Sequence, residues 1–129
     1  MAKAHKQTYG FEELHAWKRA MDLVDQVYVL TENWPNREQY GLTNQIRRAA
    51  VSVPSNIAEG QGRKSDGDFV RFLAIAYGSL MEVRTQLLIA SRRAYSSEAA
   101  VSDVLAMLDE TGRLLNGLKR SLSGRSKKS

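Results

Sequence analysis

The stretch LTNQIRRAAVSVPSNIAEG, residues 42–60, decides the fold. Leu42, Ile46, Ala49, Val53 and Ile57 recur at steps of three and four residues, which puts them on one face of an α-helix; a half-buried strand would need a period of two. The helix is expected to begin near Arg37 to Tyr40 and to reach about Glu59. Pro54 lies inside it, lacks a backbone N–H and crowds the carbonyl of Ala50, so the spacing predicts a kink near Pro54 or two shorter helices in line. Beyond it, EGQGRKSDG at residues 59–67 carries Gly60, Gly62 and Gly67 and predicts a turn.

The same period extends outward on both sides. Upstream, Leu14, Trp17, Met21, Val24, Val27 and Tyr28 predict a first helix from about Phe11 to Asn33, stopped by Trp34-Pro35-Asn36 because proline disfavours helical geometry in the residue before it. Downstream, Ser65 followed by Asp68 predicts the start of a third helix carrying Phe69, Phe72, Leu73, Ala76, Leu80 and Leu87 and ending near Ala94. Ser96 or Ser97 then caps a fourth helix through Val101, Val104, Leu108, Leu115, Leu118 and Leu122. Four helices joined by short loops predict an all-α, antiparallel up-down-up-down four-helix bundle over residues 11–122, with a flexible segment at 1–10 and a disordered basic tail at 123–129.

Composition bounds what such a bundle does. The 129 residues suit one domain, and 43% hydrophobic with 26% charged residues is a globular balance. Without a cysteine there is no disulfide framework, Cys-ligated metal or thiol nucleophile. No apolar run approaches membrane-span length and the start MAKAHKQTYG has no apolar stretch of signal-peptide type, so a cytoplasmic protein without a membrane contact is expected. The net charge of +5 belongs to the ends: all 14 acidic residues fall between residues 11 and 118, whereas Lys3, Lys6, Lys119, Arg120, Arg125, Lys127 and Lys128 lie outside that range.

No motif supports catalysis. His5 and His15 have no ligand-spaced partner, so no metal and no cofactor is expected. Gly62-Arg63-Lys64-Ser65 lacks the GxxxxGK[ST] spacing of a phosphate loop and follows a helix where that fold has a strand, so it reads as an interhelical turn whose Arg63 and Lys64 can still touch phosphates. No serine, histidine and acid trio and no carboxylate pair in a predicted cleft points to hydrolysis; the protein is read as not an enzyme.

A polar stripe runs beside the apolar face of the second helix. Gln45, Arg48, Ser52, Asn56 and Glu59 fall within about a quarter of its circumference and predict a buried polar layer that sets the register, with Glu82 of the third helix opposite Arg48. Small residues, Ala49, Ala50, Ser52, Ala58 and Gly60 on one helix and Ala74, Ala76, Gly78 and Ser79 on the next, predict close helix approach. The bundle also has more apolar positions than one seam uses, a mark of self-association.

With those features in place, QIRRAAVSVPSNIAEG at 45–60 and FVRFLAIAYGSLMEVRTQL at 69–87, preceded by FEELHAWKRAMDLVDQVY and WPNREQYGL, closely resemble the four-helix-bundle protein family encoded in intervening sequences of bacterial 23S rRNA genes. The resemblance covers about residues 11–118 and is specific, because two long motifs stand at the expected separation. It implies an antiparallel four-helix bundle assembled as a homopentamer, similar to the accessory variability proteins of diversity-generating retroelements, which bind nucleic acid and contact a reverse transcriptase. It also maps the family's signature onto Gln45, Arg48, Ser52, Pro54, Asn56, Glu59, Gly60, Gly78 and Glu82. The near-neutral bundle departs from the strongly basic surface of the retroelement proteins.

The combined expectation is a non-catalytic oligomer that binds RNA or DNA through phosphates, with Arg47, Arg63, Lys64, Arg71, Arg92, Arg93, Lys119, Arg120, Arg125, Lys127 and Lys128 as candidate contacts. The alternative is a protein-interaction scaffold, for example one serving a reverse transcriptase, without nucleic-acid binding of its own.

Overall fold

In the computed structural model, which describes residues 10–128, four helices follow one another: α1 His15–Thr31, α2 Leu42–Gln61, α3 Asp66–Arg92 and α4 Glu98–Lys128. Short 3-10 turns occupy Gly10–Glu13 and Asn36–Glu38, and no strand occurs among the described residues. α2 runs unbroken across Pro54, which excludes two separate helices there. The buried proline ring has traded one backbone hydrogen bond for packing.

The ends are set by local chemistry. Ser65 Oγ accepts the N–H of Asp68 at 3.1 Å and starts α3, and Ser97 rather than Ser96 does the same for Ala100 at 3.1 Å and starts α4. α3 closes in a Schellman arrangement: Ala94 is left-handed at φ 61°, its N–H donates to Ser91 O at 3.0 Å, and the N–H of Tyr95 reaches Ala90 O at 2.9 Å. α2 begins at Leu42 because the Glu38 carboxylate accepts that residue's N–H at 2.9 Å.

Three helix boundaries differ from the sequence expectation: α2 starts at Leu42 rather than near Arg37 to Tyr40, since Asn36–Glu38 form a 3-10 turn of their own, and the other two are the start of α1 and the end of α4. α1 starts at His15 rather than Phe11, since Gly10–Glu13 form the 3-10 turn. α4 continues to Lys128, where a disordered tail is expected from residue 123; Arg125 gives the last turns an anchor through two hydrogen bonds to Asp66, of 2.7 and 3.0 Å. The flexible segment expected at 1–10 lies, apart from Gly10, outside the described residues.

Each helix packs on its two chain-order neighbours, α4 closing back onto α1, and neither diagonal pair makes a close backbone approach. The helices are antiparallel: Ser52 meets Ser79, Arg84 meets Asp109, and Asp66 meets Arg125 at the far end. Leu23, Ile46, Ile57, Leu73, Leu80, Leu87, Leu108 and Leu115 are fully buried along the centre, and all but Leu23 are positions that the three-and-four spacing selects; α1 instead buries Ala16, Ala20, Leu23, Val27 and Thr31, and Met21 and Tyr28, expected on its inner face, are exposed. Thr111 joins them without an exposed polar group because its hydroxyl donates to Met107 O at 2.9 Å. α2 and α3 approach closely at Gly60, where a Cβ would lie 2.7 Å from Phe72 Cβ and 2.9 Å from Phe69 Cδ1.

Candidate interaction surfaces

The antiparallel order brings the α2–α3 turn and the end of α4 to one end of the bundle. Arg63, Lys64, Arg71, Arg120 and Arg125 are exposed there and Lys119 is half-buried about 9 Å before Arg125 along α4. Candidates from three separate sequence stretches therefore lie toward one end of the bundle. Three of them have carboxylate partners: Arg63 with Glu59 at 3.0 Å, Arg71 with Asp68 at 3.3 Å and Arg125 with Asp66 at 2.7 Å. Arg63 also lies over the Phe72 ring at 4.8 Å. The Arg125 guanidinium, by hydrogen bond and charge, holds the Asp66 carboxyl below the ordinary aspartate range, and Asp66 in turn raises Arg125. Such exposed pairs contribute little to stability, and a phosphate can exchange for the carboxylate.

The other candidates are elsewhere. Arg92 and Arg93 sit at the end of α3, at the opposite end of the bundle. Arg47 is half-buried between α1 and α2; its Nε donates to Thr31 Oγ1 at 2.8 Å and its guanidinium lies 4.7 Å from the Tyr28 ring centre. Lys127 lies on the last turn of α4, which ends at Lys128.

The polar stripe on α2 divides in two. Ser52 and Asn56 form a bonded layer: Ser52 Oγ shares a 2.9 Å hydrogen bond with Ser79, and Asn56 Nδ2 donates to Ser52 O at 2.8 Å and to Ser52 Oγ at 2.9 Å. Glu59 turns instead to Arg63. Gln45 and Arg48 border a groove with Glu82 and Gln86 across from them, yet the expected Arg48–Glu82 pair does not form. On the α1 side of α2, Trp17, Met21, Val24, Val51, Pro54 and Ala58 line a shallow, nearly wholly apolar groove.

One junction carries chemistry that periodicity does not signal. Glu38 Oε1 accepts the Leu42 N–H and Oε2 accepts the Tyr95 hydroxyl at 2.7 Å, tying the α1–α2 and α3–α4 connections together. The backbone N–H of Leu42 first, then the Tyr95 hydroxyl, hold its carboxyl below the ordinary glutamate range. Beside it, Trp34 Nε1 donates to Ser96 Oγ at 2.8 Å. Glu38 and Tyr95 are 57 residues apart in the chain, so no local pattern connects them. Among the described residues no group of three or more His, Cys, Asp or Glu side chains is placed to hold a metal.

The comparison with curated proteins finds no match. Among solved structures, the chain is similar to a protein of unknown function from the S23 ribosomal protein family of Bacteroides thetaiotaomicron VPI-5482, with a TM-score of 0.75 and 21% identity over 81% of this chain and 95% of that one. At that identity the likeness concerns the fold, an all-α four-helix arrangement. The model of the 23S rRNA-intervening sequence protein family matches residues 12–117, which span α1 to α3 and most of α4, and the chain belongs to that family.

Proposed function

We propose that this chain is a non-catalytic, self-associating helical bundle that binds RNA or DNA without sequence preference, using phosphate contacts at the end where the α2–α3 turn meets α4. The observation that carries the reading is the convergence of Arg63, Lys64, Arg71, Lys119, Arg120 and Arg125 on that end. Carboxylates at Glu59, Asp66 and Asp68 offset part of this charge, so one copy binds weakly. Self-association multiplies such contacts through effective concentration.

The test is a titration of duplex DNA and of RNA across a range of salt. Replacing Lys64, Lys119 and Arg120, which have no carboxylate partner, by Gln is expected to reduce the slope of log affinity against log salt by roughly 2–3 for duplex DNA. Binding that ignores salt, or no mobility shift at micromolar protein, overturns the phosphate reading. A second reading, a docking platform for another protein, draws on the apolar groove of Trp17, Met21, Val24, Val51, Pro54 and Ala58. It predicts no mobility shift of nucleic acid at physiological salt.

A further inference from the structure

At the end of the bundle opposite the α2–α3 turn, the close of α1, the connection through Trp34 and Asn36, and the start of α2 border a cavity of about 160 Å³. That is the share of about five waters in the liquid, room for a molecule of a free amino acid's size and too little for a nucleotide. Glu32, Asn36, Gln39, Thr43 and Arg47 line it, so its wall is mostly polar.

Arg47 is fixed in place. Its Nε donates to Thr31 Oγ1 at 2.8 Å, that hydroxyl donates onward to Val27 O at 2.8 Å, and the guanidinium rests on the Tyr28 ring at 4.7 Å. Among the described residues its two terminal nitrogens make no hydrogen bond and no ion pair. A half-buried guanidinium held at Nε, with both terminal groups open, presents the fork that a carboxylate occupies through two parallel hydrogen bonds. Thr43, only 7% exposed, lines the same cavity, and its hydroxyl is buried without a hydrogen-bond partner. Glu32 supplies the opposite charge from the α1 side, and its carboxylate is also unpaired. The backbone repeats this polarity: α1 ends here on its negative pole and α2 starts here on its positive one.

From this arrangement we infer that the α1–α2 connection binds a small zwitterion, a free α-amino acid, with its carboxylate on Arg47 and the Thr43 hydroxyl and its ammonium group toward Glu32 and the end of α1. A plain anion would leave Glu32 unpaired and face the negative pole of α1, and a plain cation would meet Arg47 and the positive pole of α2. A ligand that carries both charges on one carbon matches both walls. The Asn36 and Gln39 amides serve either group, since each offers two donors and an acceptor. The site is independent of the phosphate contacts, which lie at the other end of the bundle.

Calorimetric titration and thermal melting with the free L-amino acids test this, with sodium acetate and methylammonium chloride as single-charge controls. At least one amino acid is expected to bind saturably and to raise Tm with its concentration, while neither control does so at the same concentration. Glu32→Gln and Arg47→Lys are each expected to weaken that binding at least about tenfold. Arg47 also packs on Tyr28 and Thr31, so Arg47→Lys can cost stability. Glu32 is exposed and its side chain makes no bond, so Glu32→Gln is expected to melt as the parent does without ligand, and its weakened binding reports the site and not the fold. No response to any amino acid overturns the inference, as does acetate that binds as tightly as the amino acid, or an affinity that ignores both substitutions. Each of these results leaves the salt-dependent nucleic-acid reading standing.

Discussion

Gly60→Ala is the substitution whose cost the coordinates define most sharply. The new Cβ would stand 2.7 Å from Phe72 Cβ and 2.9 Å from Phe69 Cδ1, both inside the closest approach such atoms show. Phe72 Cβ is one bond from its own backbone, so a side-chain rotation cannot clear the contact; α2 and α3 must separate. Overpacking of this kind costs about 1–3 kcal/mol. The helical preference of alanine over glycine returns up to about 1 kcal/mol. The net expectation is a loss of about 1–2 kcal/mol, or roughly 4–8 °C in Tm for a domain of this length. Gly117→Ala is the matched control: it lies inside α4, where a Cβ would have only Arg120 Nη2 near it, at 3.8 Å. That variant is expected to gain up to about 1 kcal/mol. Urea unfolding of both variants, with the m value checked for constancy, measures the difference. If Gly60→Ala proves as stable as Gly117→Ala, the close crossing of α2 and α3 is not what demands glycine at residue 60.

Two further outcomes follow from the ends of the helices. Ala94 holds φ 61° at the close of α3, so Ala94→Gly is expected to stabilise the protein by up to about 1 kcal/mol in chemical denaturation, and a loss of stability would show that the methyl group packs usefully there. Glu38 has a folded pKa below its unfolded value, so its contribution is present above the ordinary glutamate range and is lost as pH falls through the folded value. Melting scans from neutral pH into the acid range are therefore expected to drop less steeply for Glu38→Gln than for the parent, from a lower starting point; parallel curves would refute the role given to that carboxylate.

Helices α1 to α4 were legible in the sequence because burial repeats every three to four residues whatever the partner. Ile46, Leu73, Leu80 and Leu108 announce their faces from spacing alone, whereas α1 carries apolar residues on two faces, and only packing shows that it buries Leu23 and leaves Met21 and Tyr28 exposed. Ser65 was equally legible, since its cap bond spans three residues. The Pro54 region shows the limit: sequence rules predict a kink or a break, and neighbouring helices decide whether the chain tolerates the missing bond.

What required the tertiary structure was every relation between distant residues. The Arg125–Asp66 contact spans 59 positions and accompanies an α4 that continues past the expected end at residue 122. The Glu38–Tyr95 bond spans 57, and nothing near either residue announces it. Arg48 and Glu82 could be placed on facing helices from their spacing, but only the packed bundle shows that they share a groove without pairing. Periodicity is a property of one helix and can be read along the chain. Which side chains meet, and which are left without partners, depends on how four helices are set against one another, and that is fixed only when the core closes.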